Sequence, residues 1–147
     1  MDIFERVLLL KQSTVFSAVR TDDLRALAPF LEPQEFVSGD IVFESGELGE
    51  HMYLVESGSI GIYLRQEDSK EMEISRLDRG ECFGEMNLLD ELPRSASARV
   101  LEDAVLLSLE KQRLRGLIAN HPELALGMLK SLSLKIRHAD ARLGELT

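Results

Sequence analysis

The chain has one cysteine, Cys82, in 147 residues, so no disulfide can form within it, which fits a reducing cytoplasm. Its three histidines, His51, His121 and His138, have no metal-ligand spacing, which argues against a metal-dependent roll enzyme. No serine has an evident His/Asp partnership and Cys82 has no nearby histidine, so nucleophilic catalysis has no candidate residues. No apolar run approaches the roughly 18 residues that span a bilayer. Val7 to Leu10, the longest near the N-terminus, lies between Arg6 and Lys11 and lacks a signal peptide's cleavage site. Bases are also scarce: 17 against 26 acids, for a net charge of −9. A nucleic-acid surface is basic, so none is expected on this domain. Repeats, low-complexity tracts and linkers are absent. These absences predict a cytoplasmic, non-catalytic chain with no metal, no catalytic cofactor and no membrane partner.

What is present reads as one domain, 1–147, large enough to bury a core. Its parts are N-terminal helices (1–32), a β-rich body (33–110) and C-terminal helices (111–147). Asp2 to Lys11 places Ile3, Phe4, Val7, Leu8 and Leu10 on one broad helical face. Val15 and Phe16 are expected in the core. Thr21 is the expected N-cap of a second helix, with Asp22 and Asp23 in its first turn; Leu24, Leu27, Ala28 and Leu31 mark it, and Pro29 ends or kinks it. From Gln34 short β-rich runs take over: Glu35–Val37, Ile41–Phe43, Met52–Val55, Ser59–Leu64, Met72–Leu77, Ala98–Val100 and Val105–Leu109. Turns carrying Gly39, Gly46, Gly58 and Gly80 separate them, and Gln66–Lys70 reads as a polar hairpin tip. Many short strands at near-regular spacing predict a barrel or jelly roll. Cys82, just before Phe83, is expected in a further strand as a small hydrophobe.

The last third returns to helical periodicity. Asn120-His121-Pro122 interrupts it, and Pro122 suits the first turn of a new helix. Beyond it Ala125, Leu129, Leu132, Ile136, Ala139, Leu143 and Leu146 form a heptad stripe. Leu129, Leu132, Ile136, Ala139 and Leu143 are the expected seam of a homodimer; packing on the body of the domain is the alternative.

The most informative stretch is Phe83 to Ser97, FGEMNLLDELPRSAS. Gly84 allows close backbone approach. Glu85 to Leu89 can form about one helical turn, whose first N–H groups suit an anion. Pro93 stiffens the chain before Arg94, whose planar fork matches phosphate oxygens. Ser95 adds a hydroxyl, while Glu85 is an acceptor suited to a sugar hydroxyl. Together they call for a ligand with one phosphate and a ribose hydroxyl close together.

This stretch resembles the phosphate-binding cassette of the cyclic nucleotide-binding domain family, found in the sensor domain of bacterial catabolite activator proteins and in the regulatory subunit of cAMP-dependent protein kinase. The spacing of the glycines from Gly39 to Gly58 is similar too, and the likeness runs from about Val15 to Leu143. The resemblance implies an antiparallel β-roll (a double-stranded β-helix, or jelly roll) with N-terminal helices and a long C-terminal helix. It implies a non-catalytic regulatory module that binds a cyclic nucleotide, cAMP before cGMP, and relays binding through the C-terminal helix. The implied ligand residues are Phe83, Gly84, Glu85, Met86, Arg94, Ser95 and Ala96, with Ile62 and Ile74 as apolar walls under the base. Asn87 stands where the family usually has a small residue. A DNA-binding member would continue into a helix-turn-helix module, and no residues after Thr147 supply one. The competing reading is a dimerising interaction module that keeps the fold but has lost nucleotide binding.

Overall fold

The computed structural model describes residues 1–65 and 70–146. In chain order its elements are α1 (Ile3–Gln12), α2 (Thr21–Leu27), a 3-10 turn (Ala28–Phe30), β1 (Glu32–Phe36), β2 (Ile41–Phe43), β3 (His51–Arg65), β4 (Glu71–Leu77), β5 (Cys82–Phe83), α3 (Met86–Leu89), β6 (Ser97–Glu110), α4 (Lys111–Asn120) and α5 (Pro122–Leu146). They group into two compact units, Phe30–Leu114 and Met1–Pro29 with the segment from Arg115. Of the expected hairpin tip at residues 66–70, residues 66–69 lie outside the described residues. No helix among the described residues is long and apolar enough to cross a membrane.

The unit Phe30–Leu114 is an antiparallel β-roll. Its sheet order is β1-β6-β3-β4, with β2 also on β6 and β5 also on β3. Two long strands, β3 and β6, pair from His51↔Glu110 to Tyr63↔Ser97 and carry the rest. Sequence periodicity expects two short strands in each. The turn expected at Gly58 is instead an irregularity inside β3, where the register shifts between Val55 and Ile60. Gly58 sits at φ +89°, and a Cβ there would lie 2.4 Å from the Asp103 carbonyl oxygen. Glycine therefore bends the strand without ending it.

Alternation along the strands turns Val55, Ile60, Ala98, Val100, Ala104 and Leu106 into one cluster with Phe43 and Phe83. Tyr53 stacks on Phe83 at 5.3 Å, and Phe43 lies 5.9 Å from the same ring. Each fully buried aliphatic side chain contributes about 1.5–3 kcal/mol relative to exposure. The cluster thereby makes a rigid floor beneath β5 and its following turn.

In the other unit, α1 is capped by Asp2, whose Oδ1 accepts from Glu5 N at 2.8 Å. Its buried residues are Val7, Leu9 and Leu10, whereas Phe4 and Leu8 are 69% and 49% exposed. The broad face expected from the sequence is thus corrected: Phe4 and Leu8, four residues apart, form an adjacent uncovered face. Val15 and Phe16 are buried as expected. The N-cap of α2 is Arg20, not Thr21, because the extended backbone that precedes the helix falls at Arg20, whose guanidinium reaches Asp23 at 3.7 Å.

On α5 the buried face is Leu124, Met128 and Ser131. Ser131 Oγ accepts from Ala18 N at 2.9 Å, and a Cβ on Gly127 would lie 2.8 Å from Val19 Cα. The heptad stripe is a different face: Leu129, Ile136 and Leu143 are each more than 60% exposed, while Leu132 and Ala139 are half-buried. The Leu146 side chain lies outside the described part. Between α4 and α5 only His121 intervenes, and Pro122 opens α5, where its missing N–H is not needed.

Candidate functional site

Four segments of the roll meet around the Arg94 side chain. Gly84, following β5, adopts φ +75°, and a Cβ there would fall 2.5 Å from Arg94 Nη1. Only glycine satisfies both the left-handed backbone and the close approach. The chain then forms α3, a single turn with Glu85 at its N-cap position. Pro93 makes a bridge with Leu48, Arg94 N donates to Glu47 O at 2.7 Å, and Gly46 N donates to Arg94 O at 2.8 Å. The loop before β6 is in this way stitched to the loop before β3, fixing where the Arg94 side chain starts.

That side chain is 5% exposed. Its Nη1 donates to Gly84 O at 3.0 Å and to Asn87 Oδ1 at 2.9 Å, and its Nη2 donates to His51 O at 2.6 Å. Its Cζ lies 4.0 Å over the Phe43 ring, a cation–π contact. Nε is buried and has no hydrogen-bond partner. All three acceptors are neutral, and Arg94 makes no ion pair within 4.0 Å among the described residues. Burial pushes its pKa down, opposed by Tyr53, Glu47, Glu85 and Glu50. A guanidinium stays protonated even so. The site is therefore a buried cation with two of its five N–H donors uncommitted, an arrangement that favours an incoming anion.

Arg99, the other base near this stretch, is different. Its Nη1 and Nη2 meet the two oxygens of Glu71 at 2.6 and 2.8 Å, and Glu44 lies 3.8 Å from Nη2. Its charge is already matched by carboxylates.

Arg94 opens onto a cleft of about 210 Å³. Phe83, Gly84, Glu85, Met86, Arg94, Ser95, Ala96 and Ile62, all named from the sequence, line it. Ile74 does not: it is 47% exposed on β4, at the point where the β3–β4 register shifts. Phe43, Cys82 and Asn87 also line the cleft and are not among the expected ligand residues. Phe43 comes from β2, far from Arg94 in sequence, and no local pattern points to it. Gly49 is not singled out by the sequence, yet a Cβ on it would lie 2.5 Å from Arg94 Cζ. Cys82 is half-buried at the cleft wall. Of the lining residues, Glu85 is half-buried and Ser95 is exposed.

The cassette also has an anchor at its far end. Lys111, the first residue of α4, is 5% exposed, and its Nζ donates to Asp90 O at 2.8 Å, at the C-cap of α3.

Residues 33–121 match the family model described as the cyclic nucleotide-binding domain. A CRP-like cAMP-activated global transcriptional regulator of Mycobacterium tuberculosis is 30% identical over 94% of this chain and 62% of its own length. A cyclic AMP receptor protein of Thermus thermophilus is 33% identical over 91% of this chain and 62% of its own. The crystal structure of the Thermus thermophilus catabolite activator protein superposes with a TM-score of 0.75 at 32% identity, over 90% of this chain and 62% of that one. This chain thus spans 62% of the length of these curated relatives.

Proposed function

The chain belongs to the cyclic nucleotide-binding domain family, and on that premise we propose that it is a non-catalytic receptor module for a cyclic nucleotide, with cAMP preferred to cGMP. The observation that carries this reading is Arg94: a buried guanidinium held by three neutral acceptors, with Nε unpaired, on a cleft shared with Gly84, Glu85 and Ser95. A cyclic phosphate would supply the missing counter-charge. Glu85 would accept from the ribose 2′-hydroxyl, and Ser95 and the Ala96 backbone would meet phosphate oxygens. Ile62 and Met86 would cover apolar parts of the ligand. The names of the two relatives above, both cAMP proteins, support cAMP over cGMP.

We further propose that binding is relayed through α4 and α5. The Lys111–Asp90 hydrogen bond supports this, since it ties the start of α4 to the end of the cassette helix. The helix break at His121 offers a hinge. The exposed stripe of Leu129, Ile136 and Leu143, with Leu132 and Ala139 between them, is the proposed contact with a second copy of the chain. A ligand that favours one setting of the break would shift an existing equilibrium.

One observation favours the competing reading of a domain that has lost its ligand: Asn87 occupies a donor of Arg94. Two donors nevertheless remain, which is enough for a bidentate contact. The test is calorimetric titration with cAMP, cGMP and 5′-AMP, repeated with Arg94→Ala and Arg94→Lys. Losing charge-assisted bonds costs about 1.5–3 kcal/mol, or at least about tenfold in affinity. Saturable binding of cAMP that weakens in both variants is expected. Absence of binding, or affinity in both variants unchanged from the parent, rejects the receptor reading.

A further inference from the structure

Asn87 is a buried side chain, 6% exposed, with both ends of its amide committed. Its Oδ1 accepts from Arg94 Nη1 at 2.9 Å, and its Nδ2 donates to Leu92 O at 2.6 Å. This orientation follows from chemistry, because a guanidinium can only donate and a carbonyl can only accept. Gly49 closes another side, since a Cβ there would lie 2.7 Å from Asn87 Cγ.

The consequence lies in how the five donors of Arg94 are shared. Both N–H groups of Nη1 are used, on Gly84 O and Asn87 Oδ1, and one of Nη2 is used on His51 O. What remains is the Nε–H and one N–H of Nη2. The Phe43 ring lies against the guanidinium, with Cζ 4.0 Å from its centroid, and the three acceptors restrict how it can turn. Two of these acceptors are backbone carbonyls. Asn87 is the side chain among them, so it is the element of the orientation that sequence can change.

We propose that Asn87 is the positioning residue that determines which face of Arg94 a phosphate meets, and so makes the site distinguish the two exocyclic oxygens of a cyclic phosphate. This rests on the reading of the cleft as a nucleotide site. With Nη1 saturated, the ligand is left one N–H of Nη2 and the unpaired Nε–H, which is buried and must be uncovered to bond. One exocyclic oxygen then receives the charge-assisted bonds and the other does not. Without Asn87, Nη1 regains a free N–H and the guanidinium can present a second edge.

The test uses the two phosphorothioate diastereomers of cAMP, each with sulfur replacing one exocyclic oxygen, and compares their dissociation constants. In the parent the two should differ by about tenfold, the worth of one charge-assisted contact. In Asn87→Ala the ratio should fall by at least about threefold, while the preference for cAMP over its 2′-deoxy analogue stays unchanged. Asn87→Asp supplies an independent readout. Its carboxylate would sit beside Nη1 and compete with phosphate, so cAMP affinity should fall and recover as pH drops and the carboxyl is protonated. A parent that binds cAMP, with the same diastereomer ratio in Asn87→Ala and a pH-independent Asn87→Asp, overturns this proposal and leaves the receptor reading standing. A parent that binds no cyclic nucleotide overturns both. If Asn87→Ala does not fold, the Asn87→Asp pH profile decides alone.

Discussion

Replacing Gly49 with alanine tests whether the geometry around Arg94 governs ligand binding. A Cβ there would lie 2.5 Å from Arg94 Cζ, 2.6 Å from Nε and 2.7 Å from Asn87 Cγ. Carbon atoms at optimal contact are about 3.5–4.0 Å apart, so the guanidinium or the loop must move by roughly 1 Å. Gly49 is outside the left-handed region, so the substitution adds contact without backbone strain. Overpacking of this kind costs about 1–3 kcal/mol. A shift of that size would also stretch the bonds to His51, Gly84 and Asn87, now between 2.6 and 3.0 Å, past useful length. Gly39 provides the control. It sits at φ +94°, and a Cβ there would meet nothing within 4 Å, so alanine there strains the backbone and touches nothing. Urea unfolding should show both variants destabilised. Calorimetry with cAMP should show about tenfold or greater weakening in Gly49→Ala alone. Parent-like affinity in Gly49→Ala, or equal weakening in Gly39→Ala, would refute the reasoning.

Glu85→Ala should weaken cAMP more than 2′-deoxy-cAMP in parallel titrations; equal losses would make the carboxylate structural. Burial raises the pKa of Tyr53 above its ordinary 10.0, with Arg94 opposing and Glu47 adding to the rise. The folded chain then holds that proton when the unfolded chain has released it, so stability falls as pH rises through about 10. Tyr53→Phe keeps the ring stacked on Phe83 and should flatten that part of the profile in urea melts at pH 9 to 11. Joint replacement of Leu129 and Ile136 by glutamate should convert a dimer to a monomer in light scattering. If α5 relays binding, it should also change the cAMP dissociation constant by a modest factor.

Most of the cleft is legible in the sequence because its residues are contiguous. Gly84, Glu85, Arg94 and Ser95 fall within one turn-helix-loop, where residue types and spacing state the chemistry directly. What is not legible depends on strand pairing. Phe43 reaches Arg94 because β2 lies on β6, and Gly49 because the loop before β3 is bridged to Pro93; neither pairing leaves a local mark. Ile74 shows the same limit from the other side, since a register shift beside it decides where it faces. Gly58 reads as a turn because glycine beside serine marks both turns and strand bends. On α1, apolar residues occupy more of the circumference than the fold covers, so periodicity does not separate Val7 and Leu10 from Phe4 and Leu8. The α5 stripe is readable because a heptad is a property of one helix alone.

The central claim is that the buried, unpaired Nε–H of Arg94 takes up the ligand phosphate, and the most direct measurement is the Nε–H resonance of Arg94 in ¹⁵N-labelled protein, identified by its loss in Arg94→Lys and followed while cAMP is added. The account predicts that this resonance shifts in proportion to bound cAMP and that its exchange with water slows. An Nε–H signal unchanged in position and exchange at saturating cAMP would contradict it.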